Sequence, residues 1–299
     1  MNLLITGAWK YTAEQKKILL DRGYVITDMP DERGELPCDP TAVEAVICNG
    51  LFLYHPIEAF TALKQIQLTS AGLDRVPLAY IREHDISIQS ARGVYSVPMA
   101  EFALAAVLRF YKEIDFFAAN QREHIWNKHR NLRELAGKTV CVVGCGSVGT
   151  ECAKRFTAMG CEVVGVDAYP RQDDAYTAMI PTAALRTALV RADIVVLTLP
   201  LTEDTYHVMG RHELAAMPDG GVVINIARGG VLDVAALVDE VRAGRLSAAL
   251  DVFEDEPLPA DSPLWELPNV AITPHNSFVG EENGGRMWGV IRKNFTESR

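Results

Sequence analysis

Residues 138–167 read KTVCVVGCGSVGTECAKRFTAMGCEVVGVD. An apolar run, TVCVV, enters Gly144-Cys145-Gly146-Ser147-Val148-Gly149, a helical stretch follows, and a second apolar run closes on Asp167. A glycine pattern alone is weak evidence. Placed between a strand and a helix, with an acid at the end of the next strand, it predicts a dinucleotide-binding βαβ unit. Gly144 makes the tight turn, Gly146 lets backbone approach a pyrophosphate, and Gly149 allows close helix packing. The amides of Ser147 and Val148 open the helix, where unpaired N–H groups favour phosphate. Asp167 is placed to accept hydrogen bonds from the adenosine ribose hydroxyls and to repel a 2′-phosphate, so NAD is expected ahead of NADP. Arg171 nearby keeps that preference short of absolute.

Outward from this unit, further apolar runs follow at DIVVLTL (193–199), GVVINIA (221–227), SAALDVF (247–253) and VAITPH (270–275). Near-continuous apolar strands are expected when helices cover both faces of a parallel sheet. Before it, NLLITG, YVITDM, AVICNG, IQLTSA and ISIQSA alternate with polar or helical stretches, a second βαβ rhythm. Thr12 and Gln15 form a capping box for a helix over Thr12–Arg22, with Gly23 where it would stop. The expected fold is therefore α/β, with two Rossmann-like or flavodoxin-like parallel-sheet domains and a cleft between them. Residues 1–97 plus 279–299 would form one domain and residues 98–278 the other. A long helix from Pro98 to about Asn120 would bridge them, and Val279–Phe295 would return to the first as one helix. The charged stretch QREHIWNKHRNLRELAG (121–137) suits either an arm across a surface or a partner subunit, or a solvated connecting helix.

The formal net charge of −10 and the absence of any Lys/Arg run argue against nucleic acid as a partner. No apolar stretch is long enough to suggest a membrane span, and MNLLITGAW lacks the charged start of a signal peptide. The six cysteines have no C-x-x-C spacing, so no metal is expected, and the thiols read as reduced and buried in a cytoplasmic protein.

In an open parallel sheet, ligands bind beyond the carboxyl ends of the strands. There the sequence places Pro200, Arg228-Gly229-Gly230, Asp251, Glu256 and His275. Arg228 carries the planar fork of donors that matches a carboxylate. Reducing a ketone with a nicotinamide hydride leaves an oxyanion to protonate, which suits His275. Glu256 beside it would favour the imidazolium. Asp251 would orient the nicotinamide carboxamide or, alternatively, cap a turn. The two glycines after Arg228 suggest backbone crowded against a ligand.

With GCGSVG and Asp167, NIARGGVLD, LDVFEDEP, TPH, LTSAGLDRV (68–76) and ARGVYSVPMAEF (91–102) in view, the chain resembles the D-isomer-specific 2-hydroxyacid dehydrogenases over nearly its whole length. The resemblance implies a 2-keto acid reductase giving an R-configured 2-hydroxy acid, with Arg228, Glu256 and His275 as the catalytic set. It implies cofactor contacts from Gly144, Gly146, Ser147, Val148, Gly149, Asp167, Pro200, Thr205, Ala227 and Asp251. The substrate carboxylate would meet the amides of Ala71 and Gly72, and Leu51, Phe52 and Tyr54 would line a partly apolar side-chain pocket, unless they pack beneath the loop. A homodimer is also implied, with residues 100–135 crossing to the partner. Two departures stand out: TLPLT (198–202) lacks the histidine many relatives place before the proline, and FTESR closes the sequence without their strand-like tail or a regulatory domain. A phosphoglycerate dehydrogenase would need a cationic pocket, for which only Arg75 and Arg92 are candidates. Formate dehydrogenase would require glutamine in place of Glu256. A non-catalytic NADH-sensing scaffold, like the related corepressors, retains the same triad and stays open.

Overall fold

A computed structural model describes residues 1–297. The chain forms two compact units, Met1–Tyr95 together with the chain from Gly280 onward, and Ser96–Val279.

The first unit holds β1 (Asn2–Thr6), β2 (Val25–Met29), β3 (Ala45–Cys48), β4 (Gln65–Leu68) and β5 (Ser87–Gln89). All pair in parallel in the order β2-β1-β3-β4-β5, the flavodoxin-like arrangement, whose direction of winding reverses between β1 and β3. Alternate residues serve opposite faces. Leu4, Val46 and Ile66 pack with Met29 and Phe60 on one side, while Leu3, Ile5 and Ile47 pack with Trp9 and Leu19 on the other. The helix Ala13–Asp21 starts at the expected capping box: Gln15 N donates to Thr12 Oγ1 at 3.2 Å and Thr12 N to Gln15 Oε1 at 2.9 Å. The closing helix starts later than the sequence suggests, at Asn283, is α-helical to Arg292 and runs on as a π-helical stretch over Lys293–Glu297. Val279 N donates to Asn276 O and Asn283 N to Gly280 O, so the chain before it is spent on turns. Met287 and Ile291 of this helix complete the second core face.

The second unit holds β6 (Thr139–Val143), β7 (Glu162–Asp167), β8 (Ala178–Pro181), β9 (Ile194–Leu197), β10 (Gly221–Asn225), β11 (Leu246–Leu250) and β12 (Val270–Ile272). Its order, β12-β11-β10-β9-β6-β7-β8, is all parallel and extends the doubly wound dinucleotide-binding arrangement by one strand, with its switch point between β6 and β9. Val140, Val142, Val196 and Ile224 pack against Ala103 and Val107 of the helix Ser96–Tyr111, and Cys141, Val143, Val195 and Val223 pack against Leu185 and Leu237 on the other face. Each such fully buried valine or leucine contributes on the order of 1.5–3 kcal/mol, so both sheet faces are strongly committed. The long bridging helix is in fact two. It breaks at Lys112-Glu113, where Glu113 takes a left-handed φ of 50°, and resumes over Ile114–Arg122. From Ile125 to Glu134 the chain has no regular structure, which removes the connecting-helix reading of residues 121–137. No helix among the described residues is long and apolar enough to cross a membrane.

Candidate active site

The turn after β6 shows why its glycines are needed. Gly144 sits at φ 94°, and a Cβ there would also strike the backbone of Leu199. Gly149 packs so closely on the carbonyl of Gly144 that any side chain would overlap it, whereas a Cβ on Gly146 would point into open space. The helix Ser147–Ala158 begins at Gly146 with no side-chain cap, leaving its first amides to an incoming anion. At the end of β7, Asp167 braces the loop: Oδ2 accepts from Cys145 N at 2.8 Å and Oδ1 from Tyr169 N at 2.9 Å. Arg171 donates to Cys145 O at 2.8 Å and pairs with Asp173 at 3.2 Å. Burial pushes the Cys145 thiol up to about 11, so it stays protonated and serves as packing inside the loop. All six cysteines are free thiols, and five are buried.

The strand ends of the same unit bring the remaining groups together. At the end of β10, buried Asn225 shapes the turn that presents Arg228: its Oδ1 accepts from Ala227 N at 3.1 Å and its Nδ2 donates to Arg228 O at 2.9 Å. The Arg228 guanidinium donates to Ala227 O at 2.8 Å. Gly229 is indeed crowded, by the backbone of Phe253 and Glu254 in the loop after β11. The crowding comes from the protein itself, and it fixes the Arg228 turn against the loop that bears Glu256.

Glu256 folds back so that Oε1 accepts from Phe253 N at 3.0 Å, while Oε2 meets His275 Nδ1 at 2.8 Å. A carboxylate only accepts, which assigns the Nδ1 proton to the imidazole. His275 Nε2 has no partner among the described residues. His275 itself sits at φ 50°, a left-handed conformation that costs a non-glycine residue roughly 1–2 kcal/mol. Asp251 holds it there. Fully buried, its carboxylate accepts from Thr273 Oγ1 at 2.6 Å, Asn276 N at 2.7 Å and Ser277 N at 2.9 Å, and its carbonyl accepts from His275 N at 2.8 Å. The structure thus shows Asp251 capping the turn that carries His275.

A second histidine–glutamate pair lies in the same unit. His207 Nε2 meets Glu254 Oε1 at 2.7 Å, His207 stacks on Tyr206, and it too has φ 50°. Its loop begins at exposed Pro200, whose carbonyl accepts from Thr205 Oγ1 at 2.7 Å. Nothing in the sequence marked this pair, because a glutamate and a histidine 47 positions apart reveal no contact until the sheet aligns them.

In the first unit, the loop after β4 leaves the amides of Ala71 and Gly72 without a hydrogen bond among the described residues, while Ser70 Oγ donates to Gly72 O at 2.9 Å. The expected pocket residues divide. Leu51 is fully buried in the core, and Phe52 packs edge-on against Phe60, so both belong beneath the loop. Tyr54, together with Leu53, is exposed and lines a cavity. A short helical turn over Leu51–Leu53 causes this division by rotating successive side chains from core to surface.

Residues 104–277 match the family model described as the NAD-binding domain of D-isomer-specific 2-hydroxyacid dehydrogenases. The chain belongs to the D-isomer-specific 2-hydroxyacid dehydrogenase family. It is 36% identical over 224 residues to hydroxypyruvate reductase of Thermotoga maritima, covering 73% of this chain and 72% of that one. It is 31% identical over 258 residues to D-3-phosphoglycerate dehydrogenase of Archaeoglobus fulgidus, covering 86% of this chain but only 47% of the relative. The chain therefore spans about half the length of the phosphoglycerate dehydrogenases it matches. A solved family member from Xanthobacter autotrophicus Py2, in complex with NADPH and MES, superposes with a TM-score of 0.78 at 30% identity, covering 99% of this chain and 95% of that one.

For this family member a nicotinamide dinucleotide is the cofactor, and the chain has the features to hold one. The open side of Gly146, the uncapped helix start and the Asp167 carboxylate are donors and acceptors suited to a pyrophosphate and a ribose. Asn225 and Thr198 escaped the sequence reading. Thr198 Oγ1 donates to the carbonyl of Gly144 at 2.5 Å, tying the glycine turn to the end of β9. Both lie inside apolar runs, where a polar residue facing the carboxyl edge is the available signal.

Proposed function

We propose that the chain is an NAD-dependent D-2-hydroxyacid dehydrogenase that reduces small 2-keto acids. The Ser96–Val279 unit holds the cofactor and the acid, and the other unit recognises the substrate. One observation carries the reading: His275, tied to Glu256 at 2.8 Å through Nδ1 and unpartnered at Nε2, stands on the sheet edge that also presents Arg228. The bound cofactor supplies a hydride to the carbonyl carbon. His275 supplies the proton: Nε2–H donates to the carbonyl oxygen as charge develops there, the proton passes to that oxygen, and Nδ1–H stays with Glu256. Arg228 orients the carboxylate through its planar donors. Asp251 acts through the backbone of His275 and is a positioning residue.

The dimeric state belongs to the same proposal. Trp126 is 94% exposed on an irregular arm whose neighbours Phe117, His124, Ile125 and His129 line a cavity of about 700 Å³. An exposed tryptophan on such an arm suits burial against a second copy of this chain. Free, buried thiols support a reducing, cytoplasmic setting.

The test is loss of NADH absorbance by the purified protein against glyoxylate, hydroxypyruvate, pyruvate, phenylpyruvate, branched 2-keto acids and 3-phosphohydroxypyruvate. Turnover is expected, and His275→Gln should lower it by about 10²–10⁴-fold with NADH binding retained. NADH binding without turnover of any keto acid would overturn the reading in favour of a sensing scaffold.

A further inference from the structure

The carboxyl edge of the five-stranded sheet carries a cavity of about 590 Å³, lined among others by Pro30, Asp31, Glu32, Asn49, Tyr54 and Arg75. It lies at the ends of the paired strands β1 and β3, between which the winding reverses, the switch point at which a doubly wound sheet receives its ligand. Three donors converge there: the amides of Asn49 and Gly50 just after β3, and the buried hydroxyl of Thr6 at the end of β1. Adjacent backbone N–H groups of this kind form a cradle for an anion. Here the chain fills it. Glu32 Oε1 accepts from Thr6 Oγ1 and Asn49 N, each at 2.6 Å, and Oε2 accepts from Gly50 N at 2.6 Å.

The plug is anchored on both sides. His55 Nε2 lies 2.9 Å from the carbonyl of Glu32, and Gly7 N donates to Met29 O at 2.8 Å, with no room for a side chain on Gly7 against Pro30. Charge around the cavity is uneven. Asp31 is neutralised by Arg33 through hydrogen bonds of 3.0 and 2.9 Å, whereas Glu32 has no ion pair among the described residues. Arg75 is exposed and likewise makes no hydrogen bond or ion pair among them.

We propose that Glu32 sets the substrate class of this enzyme, selecting 2-keto acids with a neutral, hydroxyl-bearing C3 over their phosphorylated counterparts. The inference rests on the reductase reading. A carboxylate offers about four acceptor sites. Three are used, and the one left, on Oε2, takes a single donor, which a substrate hydroxyl supplies. A phosphate brings roughly two negative charges to a cradle whose donors are already occupied by a fixed carboxylate. One exposed arginine across an aqueous cavity is too strongly screened to offset that repulsion.

The experiment compares kcat/KM for hydroxypyruvate and 3-phosphohydroxypyruvate, each referred to glyoxylate, in wild type, Glu32→Ala and Glu32→Gln. The wild type should favour hydroxypyruvate by about 10²-fold or more, and Glu32→Ala should narrow that ratio at least about tenfold, through KM for both substrates. Glu32→Gln keeps the shape and one acceptor oxygen, so it reports on charge if emptying the cradle prevents folding. A ratio unchanged in the folded variants overturns the proposal. Should the wild type reduce no keto acid at all, the reductase reading fails instead. Titration of 3-phosphoglycerate into the NAD⁺-loaded proteins then decides the role of Glu32: binding gained only in the variants supports it, and equal behaviour overturns it.

Discussion

Replacing Asp251 by Asn would isolate how the chain holds its proton donor. The side chain keeps its size inside a fully buried site, and Oδ1 can still accept from Thr273 Oγ1 and Asn276 N. Its new amide, however, faces Ser277 N–H, a donor against a donor where a 2.9 Å hydrogen bond stood. Charge-assisted hydrogen bonds contribute about 1.5–3 kcal/mol and neutral ones about 0.5–1.5, so weakening two costs about 2 kcal/mol in total. Stranding one buried amide adds about 1–3, and the expected destabilisation is about 3–5 kcal/mol. The second consequence is kinetic. His275 keeps its left-handed φ of 50° only while the 273–277 turn is clamped, and release moves Nε2. A displacement of about 1 Å costs on the order of 10²-fold in rate. Urea unfolding would give the first quantity and steady-state kcat the second, with NADH affinity as a control because the glycine turn is untouched. A variant with wild-type kcat and an unfolding free energy within about 0.5 kcal/mol would refute the clamp.

Asp167→Ala should weaken NAD more than NADP in fluorescence titrations; equal loss would mean that the carboxylate serves only to brace Cys145 N and Tyr169 N. Burial pushes the thiols of Cys141, Cys145 and Cys152 up to about 12, 11 and 12, whereas in the unfolded chain they ionise near pH ~9. The folded chain therefore binds more protons above that pH. Stability is fully present below about pH 9 and should fall by up to about 4 kcal/mol per pH unit as pH rises toward about 11; identical urea midpoints at about pH 8 and about pH 10 would contradict this. Trp126→Ser should convert a sedimenting dimer to monomer, and a wild type already monomeric at micromolar concentration would remove the arm from dimerisation.

Most of the fold was legible because both sheets bury their strands on two faces, so β6, β9 and β10 read as unbroken apolar runs. β8 was not, since AMIP is short, half-exposed and lies at the sheet edge. Nor was the break at Glu113, where no glycine or proline announces the left-handed turn. The glycine turn was readable since Gly144 and Gly149 each meet a separate steric requirement. Leu51 and Tyr54 could not be sorted, because a single helical turn decides which side chain faces the core. Glu32 was invisible for a different reason: its donors come from the ends of two strands that are separated in sequence and made adjacent only by parallel pairing.

The loop after β11 joins these separate pieces. Asp251 clamps the turn of His275, the Phe253 backbone presses on Gly229 beside Arg228, Glu254 holds His207, and Glu256 holds His275. Four strand ends thus meet in six consecutive residues. Both histidines are left-handed, and no single hydrogen bond of about 1 kcal/mol would keep two strained residues in place. The strain persists because each is held by side-chain and backbone contacts at once, His275 by Glu256 and the Asp251 carbonyl, His207 by Glu254 and the Gly230 carbonyl. Effects of substitutions in this loop will therefore not add: once Asp251 or Gly229 is changed, His275 has already moved, and the further loss of Glu256 removes a contact that no longer exists.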